Sequence, residues 1–300
     1  MNQSSHTVNP SDVVLNIRRF DMKSINFDKN QNKGPVTVLL GRRDTGKTVL
    51  VRDLLYHHQD IPHGTVISGT EEGNGFFSQM CPKIFLHNEY NTSIIENALR
   101  RQKSAMIEHN HACKVAAAAS RAPPSSSDPR TFIILDDCLY DDKWARDKIM
   151  RLLFMNGRHW KIMLLITMQY PLGVPPMLRT NIDYAFILRD NIKSNRRRIY
   201  ENYAGMFDTF EVFCQVMDQC TEDFHCLVIF QNAKSNKLCD QVFWYKADVN
   251  TPSFIMGDRR YWEISKNMND SNTLGYNHRE YDGSLTRKSN HLGIAVNKKN

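Results

Sequence analysis

Short apolar runs and longer amphipathic stretches alternate along most of the chain. The apolar runs are rich in valine, isoleucine, leucine and phenylalanine, and they are short enough to form buried β-strands. Several of these runs end in polar residues. The predicted core strands are residues 36–40, 64–69, 83–87, 131–137, 161–169 and 184–188.

The stretches between these runs carry apolar residues at helical spacing or are rich in helix-forming residues. Strands that alternate with helices predict an α/β fold, with a mainly parallel sheet and helices on both faces. Two further apolar runs, 226–230 and 241–245, predict a hairpin that closes the sheet, and residues 13–27 predict one or two flanking strands. The predicted helices are residues 49–56, 92–119, 143–157, 194–203 and 207–220.

Polar composition predicts disorder at both ends of the chain. Residues 1–12 contain little to bury, and residues 263–300 are dominated by Asn, Ser, Gly and charged side chains, which gives a basic and polar tail. A stretch rich in Ala, Pro and Ser, residues 120–129, predicts a mobile surface connection. Residues 13–262 are therefore expected to form one domain.

The eight residues that follow the first core strand, GRRDTGKT, fit the phosphate-binding pattern G-x-x-x-x-G-K-[ST]. The two glycines allow the backbone to curl so that successive N–H groups face a phosphate. Lys47 is expected to reach the β- and γ-phosphates of ATP, and the Thr48 hydroxyl is expected to coordinate Mg²⁺. Strand, glycine loop and helix follow in the required order. The predicted nucleotide-binding residues are Gly41, Arg42, Arg43, Asp44, Thr45, Gly46, Lys47 and Thr48.

Two adjacent acids close the apolar run at 131–137. Ligands of open α/β sheets bind at the carboxyl ends of strands. Asp136 is therefore predicted to hold Mg²⁺ through water beside Thr48, and Asp137 to polarise the attacking water as a general base. Taken alone, such a pair is more often a solvated turn. Downstream of a phosphate loop, the catalytic interpretation is favoured.

Gln169 and several arginines complete the candidate site. Gln169 ends the 161–169 run, and its amide would sense or orient the γ-phosphate if that strand lies beside the Asp136 strand. Arg158 ends the preceding helix and is the first candidate for an arginine finger that acts on a neighbouring subunit. Arg179 is the second candidate. Arginines 196–198 could contact DNA phosphates, although most clusters of this kind are solvated helix faces.

The composition is that of an ordinary soluble globular protein, 41% hydrophobic and 24% charged. The net charge of +7 is a mild indication of polyanionic partners. No run of about 18 apolar residues occurs and the first residues are polar, so we expect neither a membrane span nor secretion. Seven scattered cysteines favour reduced, structural thiols over a metal site.

The succession of these motifs resembles the DNA-packaging ATPases of large nucleocytoplasmic DNA viruses, the poxvirus-type branch of the FtsK–HerA superfamily. The resemblance is carried by GRRDTGKT, FIILDD, NGRH directly followed by KIMLLITMQ, and VPPMLRTNIDYAFIL, which together span about residues 36–188. Their order and combination are specific, although each piece alone is common. Two features depart from the family: Arg42, Arg43 and Asp44 replace the small residues that are commoner in the loop, and residues 120–129 look like an insertion.

The resemblance implies a RecA-like P-loop NTPase core, assembled as a homo-oligomeric ring, that uses ATP and Mg²⁺ to translocate double-stranded DNA into a preformed capsid. It also implies a capsid or portal-like partner, and a location at the virus assembly site in the host cytoplasm or in the virion. No nuclease domain is evident in the sequence. Residue by residue, it implies phosphate and Mg²⁺ contacts for Lys47 and Thr48, metal and water contacts for Asp136 and Asp137, a sensor in Gln169 and a trans-acting arginine in Arg158.

Two other classes of function fit the phosphate loop. A nucleotide or small-molecule kinase would need an acceptor site and a mobile arginine-rich lid, of which residues 196–198 offer only a faint version. A nucleotide-gated structural protein of the virion would bind ATP without hydrolysing it. Turnover of ATP with and without double-stranded DNA separates the three, because only a motor should be stimulated by DNA.

Overall fold

The computed structural model of the chain describes residues 15–29, 33–121, 128–138, 144 and 147–272. The predictions for residues 1–12, for most of the 120–129 stretch and for the tail beyond residue 272 lie outside the described residues. The compact unit that carries the candidate site ends at Ser265. Of the second unit, Lys266–Asn300, the structure describes only the end of one helix, up to Asn272.

A nine-stranded sheet forms the centre of the described chain. Its strands are β1 (Arg18–Arg19), β2 (Val36–Leu40), β3 (His63–Ser68), β4 (Leu86–His87), β5 (Thr131–Asp136), β6 (Ile162–Met168), β7 (Tyr184–Ile187), β8 (His225–Phe230) and β9 (Val242–Lys246). They lie in the order β1-β9-β8-β7-β2-β6-β5-β3-β4. Neighbouring strands are parallel except around β8, which runs antiparallel to both β7 and β9 as the predicted closing hairpin.

Helices connect most of the strands. The α-helices are α1 (Lys47–Tyr56), α2 (Glu71–Asn74), α3 (Thr92–Ala118), α4 (Lys148–Asn156), α5 (Pro176–Arg179), α6 (Lys193–Tyr203), α7 (Phe210–Cys220), α8 (Leu238–Gln241) and α9 (Arg259–Asn272). Single 3₁₀ turns occur at Met22–Ser24, Phe77–Gln79, Lys83–Phe85 and Gly157–Trp160. Within the predicted helix 143–157, Trp144 is helical and α4 begins at Lys148. The carboxylate of Asp147 caps α4 by accepting a hydrogen bond from the N–H of Ile149 (2.8 Å).

Helices cover both faces of the sheet, as predicted. One core cluster packs α3, α4, α6 and α7 against strand side chains that include Val38 and Leu40. The other packs α1 and residues 20–27 against the opposite face, which includes Leu39. The alternation of Val38, Leu39 and Leu40 between the clusters follows from the two-residue period of a strand. Because β2 is buried on both faces, four of its five residues are apolar, and Thr37 is the one polar residue.

The strand order brings most of the predicted site to one edge of the sheet. β6 lies between β2 and β5, and β7 lies on the other side of β2. The carboxyl ends of these four parallel strands meet at the edge where ligands of α/β folds bind. The phosphate loop follows β2, Asp136 ends β5 and Gln169 directly follows β6. This is the RecA-like P-loop core that the family resemblance implied.

The predicted strand at 83–87 is mostly a 3₁₀ turn, which is followed by the two-residue strand β4. Tertiary packing explains the difference. The ring of Phe85 is buried and lies 5.0 Å from the ring of Tyr261 and 6.1 Å from that of Phe132. Packing of one aromatic anchor therefore overrides the strand preference of this run.

The structure also corrects the predicted disordered tail over residues 263–272, because α9 continues to Asn272. Two hydrogen bonds fix the first part of this helix to the compact unit. The Trp262 indole N–H donates to the carbonyl of Met256 (2.9 Å), and Ser265 Oγ accepts from the N–H of Ile84 (3.2 Å). The polar composition of residues 263–272 did not indicate a helix that is held by such hydrogen bonds.

Candidate nucleotide-binding site

The phosphate loop leaves β2 at Gly41 and ends at the amino terminus of α1. Gly46 has a φ of +93°, in the left-handed region that glycine adopts without strain, and Asp44 has a φ of +62°. Turns of this kind form a concave row of backbone N–H groups that suits an anion. Within the described chain no side chain caps α1, so its first N–H groups and the positive end of the helix dipole can meet a phosphate.

Lys47 makes an ion pair with Asp137. Its Nζ atom lies 2.7 Å from each carboxylate oxygen, and the two side chains are 12% and 22% exposed. An ammonium group has three N–H donors, so one donor remains for a phosphate oxygen while the pair is intact. The predicted phosphate lysine and the predicted general base are therefore direct neighbours.

Asp136 is held by hydroxyl groups from the two neighbouring strands. Ser68 Oγ donates to Oδ2 (2.8 Å) and Thr167 Oγ1 donates to Oδ1 (2.7 Å). The register of the sheet sets this arrangement, because Asp136 pairs with Ser68 in β3 and with Thr167 in β6. Burial raises the pKa of Asp136, the hydroxyl hydrogen bonds oppose this, and the charge of Asp137 raises the pKa further.

Asp137 leaves the strand in a left-handed conformation, with a φ of +45°. Aspartate tolerates this region better than bulky side chains do. The N–H of Asp137 donates to Thr167 Oγ1 (3.1 Å), and Gln169 Nε2 donates to Asp137 Oδ2 (2.9 Å). The turn therefore gives the adjacent acids different surroundings: hydroxyls of neighbouring strands around Asp136, and Lys47 and Gln169 around Asp137.

The structure brings together five of the predicted residues at this edge: Lys47, Thr48, Asp136, Asp137 and Gln169. Gln169 reaches Asp137 because β6 is the neighbour of β5. Sequence reasoning missed Ser68 and Thr167, which orient Asp136. A signal for both was present, since each is a polar residue near the carboxyl end of an otherwise apolar run.

A cleft of ≈ 540 Å³ lies along the phosphate loop. Its walls are residues 42–49 other than Thr45, together with Asp137, Gln169 and Phe224. Its charged part contains the Lys47–Asp137 pair, and Val49 and Phe224 are its large apolar side chains. No motif or pattern in the sequence pointed to Phe224, which lies far along the chain.

A smaller cavity of ≈ 70 Å³ is lined by Lys47, Thr48, Thr70, Asp136 and Asp137, among others. Mg²⁺ in nucleotide sites takes oxygen ligands and retains several waters. The hydroxyl of Thr48 and the carboxylate of Asp136 face the same small space, so the residues present fit this ion. A cation there would favour the ionised form of Asp136, against the effect of burial.

Arg158 does not join this group. It lies in the 3₁₀ turn before β6, and its carbonyl accepts from the N–H of Gly34 just before β2 (2.9 Å), so it sits at the amino edge of the sheet. The seven residues of β6 separate that edge from Gln169, a span of about 20 Å at the usual strand rise. Arg158 therefore cannot contact the phosphate site of its own chain.

The guanidinium of Arg158 is also committed to an ion pair with Asp183. The same carboxylate accepts hydrogen bonds from the side chain of Asn232 and from the N–H of Val36 (2.8 Å). Asp183 thus ties the starts of β2 and β7 to the turn before β6. An arginine finger acting on a neighbouring subunit would have to leave this pair.

The other candidate arginines are engaged within the chain as well. The guanidinium of Arg179 lies 5.8 Å from the centre of the Tyr203 ring. In the 196–198 cluster, Arg197 is exposed and its two neighbours are partly buried. The contacts of the cluster are Arg196 with Asp218 (2.6 Å), Arg197 over Phe210 (4.1 Å) and Arg198 over Tyr170 (5.5 Å).

The seven cysteines are free thiols in the structure. Burial raises the pKa of several of them, to about 12 for Cys138. In the part of the chain that the structure describes, no group of three or more His, Cys, Asp or Glu side chains is arranged to hold a metal ion. Among the same residues, no helix has both the length and the apolar character that a membrane span needs.

Comparison with known proteins places the chain among proteins of large DNA viruses. The uncharacterized protein L437 of Acanthamoeba polyphaga mimivirus is 35% identical over 254 residues, which cover 84% of this chain and 85% of the relative. The uncharacterized protein 075L of Invertebrate iridescent virus 6 is 36% identical over 256 residues, which cover 83% of this chain and 93% of the relative. This chain belongs to their family. No family model matches it.

The motifs resemble those of P-loop ATPases of large DNA viruses. Two observations confirm this resemblance: the relatives come from large DNA viruses, and the chain has the expected fold. Among solved structures, the genome packaging NTPase B204 from Sulfolobus turreted icosahedral virus 2 in complex with AMPPCP is similar, with a TM-score of 0.48 and 14% identity. The match covers 72% of this chain and 99% of that chain. At this identity the likeness concerns the fold alone.

Proposed function

We propose that the protein is an ATP-hydrolysing motor that translocates double-stranded viral DNA into a capsid. The observation that carries the ATPase part is the convergence of Lys47, Asp137 and Gln169 on one phosphate-binding loop. Phosphate binding alone would need only the loop N–H groups and the lysine. A carboxylate that is positioned beside that lysine by an amide supplies, in addition, a group that can activate water.

Binding of the γ-phosphate changes the surroundings of Asp137 in this proposal. The ammonium group of Lys47, 2.7 Å from both oxygens of Asp137, turns towards the phosphate. The carboxylate of Asp137 is then released from the ion pair and can accept a hydrogen bond from water. Asp137 therefore acts only once a γ-phosphate is in place, which restrains hydrolysis to the loaded site.

Asp137 then accepts a hydrogen bond from a water molecule and polarises it for attack in line with the leaving oxygen. Gln169 keeps the carboxylate in position through its 2.9 Å hydrogen bond and lies where its amide can sense the phosphate. Ser68 and Thr167 hold Asp136 beside Thr48. Thr48 and Asp136 would hold Mg²⁺, which would neutralise part of the phosphate charge.

The motor part of the proposal is supported by the family and by the motif order. The relatives come from large DNA viruses, whose genomes must enter a capsid, and the motif succession resembles packaging ATPases. A net charge of +7 suits a polyanionic partner. A homo-oligomeric ring, a capsid or portal-like partner and an assembly site in the host cytoplasm complete the proposal.

Steady-state hydrolysis of ATP by the full-length chain, with and without double-stranded DNA, tests it. The expected result is turnover that requires Mg²⁺ and rises when DNA is added. Hydrolysis that ignores DNA would remove the motor and leave an ATPase. Transfer of the γ-phosphate to an added nucleoside or sugar rather than to water would indicate a kinase. Binding of ATP without any turnover would indicate a nucleotide-gated structural protein.

A further inference from the structure

Phe224 has an unusual position for a large apolar residue. Its side chain is 65% exposed, and in the described chain it belongs to neither core cluster and stacks on no other ring. It follows helix α7 in a short turn before β8. Because β8 runs antiparallel to β7, this turn lies at the same edge of the sheet as the phosphate loop.

The backbone of this turn is held in a costly conformation. Asp223 has a φ of +48° and Phe224 has a φ of +60°, so two successive residues other than glycine occupy the left-handed region. For a bulky residue this is an outlier, and it persists only where the surroundings impose it. Hydrogen bonds flank the turn on both sides, from Thr221 Oγ1 to the Met217 carbonyl (2.6 Å) and from the His225 N–H to the Glu222 carbonyl (2.9 Å).

The conformation places the ring directly against the phosphate loop. A Cβ atom built on Gly46 would lie 3.2 Å from Cδ1 of Phe224. Phe224 forms a wall of the ≈ 540 Å³ cleft, together with Val49, which is 37% exposed. These two side chains are the apolar part of the cleft, and its charged part comprises Lys47, Asp137 and the loop residues Arg42, Arg43 and Asp44.

A nucleotide also has a charged part, its phosphates, and a flat aromatic part, its base. Phosphates belong at the charged part, and a flat aromatic base belongs on an exposed ring. We propose that Phe224 is the platform on which the nucleobase of the bound nucleoside triphosphate stacks, an inference that rests on the proposed ATP site. Stacking on a ring tolerates any base and gains with contact area, so the platform favours purine over pyrimidine nucleotides.

The test compares ATP with inorganic tripolyphosphate, which carries the phosphates without a base, as ligands of the full-length chain in isothermal titration calorimetry. Phe224→Ala is expected to weaken ATP binding by about tenfold to a hundredfold, the usual effect of losing one base–aromatic stack. The same substitution should leave tripolyphosphate binding unchanged. Phe224→Tyr keeps the ring and should keep the affinity for ATP. Lys47→Ala, in contrast, should weaken both ligands.

A glycine variant separates the ring from the backbone. Phe224→Gly removes the ring but relieves the left-handed strain, whereas Phe224→Ala removes the ring and keeps the strain. Equal losses of ATP affinity in the two variants support stacking, and a glycine variant with the affinity of the wild type overturns it.

The two proposals can fail separately. Unchanged ATP affinity in Phe224→Ala, or parallel losses of ATP and tripolyphosphate, would refute the base platform while the ATP site itself stands. A wild-type chain that binds neither ATP nor tripolyphosphate would refute the proposed function, and the base platform with it.

Discussion

Lys47 Nζ lies 2.7 Å from both carboxylate oxygens of Asp137, so the phosphate lysine and the proposed general base neutralise each other in the structure. A purely structural ion pair would not need to sit at the mouth of a phosphate loop. In the proposed mechanism, Lys47 exchanges Asp137 for a γ-phosphate, and this exchange would link the arrival of the nucleotide to activation of the base. The variants below separate the members of this arrangement.

Lys47→Ala is expected to reduce ATP hydrolysis by at least about 100-fold, because it removes a charged donor placed for the transferred phosphate. The chain should still fold, although loss of a pair whose side chains are only 12% and 22% exposed should cost roughly 2–3 kcal/mol in the free energy of unfolding. Turnover and urea unfolding measure the two effects. Lys193→Ala, an exposed lysine at the start of α6, is the matched control. Normal turnover in Lys47→Ala would show that the loop is not the active site.

Asparagine substitutions at the two adjacent acids should impair ATP hydrolysis in different ways. Asp137→Asn keeps the shape of the side chain and loses the base, so Mg-ATP should bind while turnover falls by about 10²–10⁴. Asp136→Asn should instead raise the Mg²⁺ concentration that is needed for half-maximal activity. Titration of Mg²⁺ at saturating ATP distinguishes the variants. Identical Mg²⁺ dependence and identical turnover would contradict the separate roles.

The sequence predicted the features that depend on a single strand and on the residue at its end. The core strands follow from aliphatic runs, and the position of Gln169 follows from the strand that it ends. Asp136 and Asp137 were found for the same reason. The hydroxyls of Ser68 and Thr167 gain their role only from the register of β3 and β6 against β5, which a single sequence does not contain.

The positions of Phe224 and Arg158 relative to the phosphate loop depend on strand direction. Phe224 reaches the phosphate loop because β8 runs antiparallel, so the start of this strand lies beside the ends of its neighbours. Arg158 precedes β6 and Gln169 follows it, so in a parallel sheet the two must lie at opposite edges. That fact was available from the order of residues alone, and it argues against a shared site within one chain.

Asp136→Asn is also expected to stabilise the fold at pH 7. Because burial raises the pKa of Asp136 in the folded state, this side chain stabilises the fold only where it is protonated. That contribution is lost as the pH rises through the raised folded pKa, so the ionised carboxylate is unfavourable at pH 7. The gain from asparagine should shrink as the pH falls towards the ordinary aspartate pKa of 3.8.

Urea unfolding without Mg²⁺ or nucleotide, at a series of pH values, measures this gain. Asp208→Asn, an exposed aspartate, is the control for removal of one negative charge. A loss of stability at pH 7 in Asp136→Asn would show that the hydroxyls of Ser68 and Thr167 outweigh burial and favour the charged form.

Arg158→Ala is expected to act on stability. It leaves the buried carboxylate of Asp183 without its cation, and breaking a largely buried pair of this kind costs roughly 2–3 kcal/mol in the free energy of unfolding. Replacing Asp183 by Asn in the same chain should recover part of this loss, because no uncompensated charge then remains. Chemical unfolding of the single and double variants measures the coupling.

The turnover of Arg158→Ala decides between this structural role and the trans-acting arginine suggested by the sequence. If the ion pair is the function of Arg158, turnover per folded molecule should stay within about tenfold of the wild type, whereas loss of an arginine finger costs about 10³–10⁵. A fully folded variant with a loss of that size would point to catalysis. Mixing it with Lys47→Ala subunits would then test action in trans, because only a mixed assembly places an intact Lys47 site beside an intact Arg158. Recovered activity in the mixture, with subunit exchange shown independently, would mean that the Arg158–Asp183 pair opens when subunits assemble.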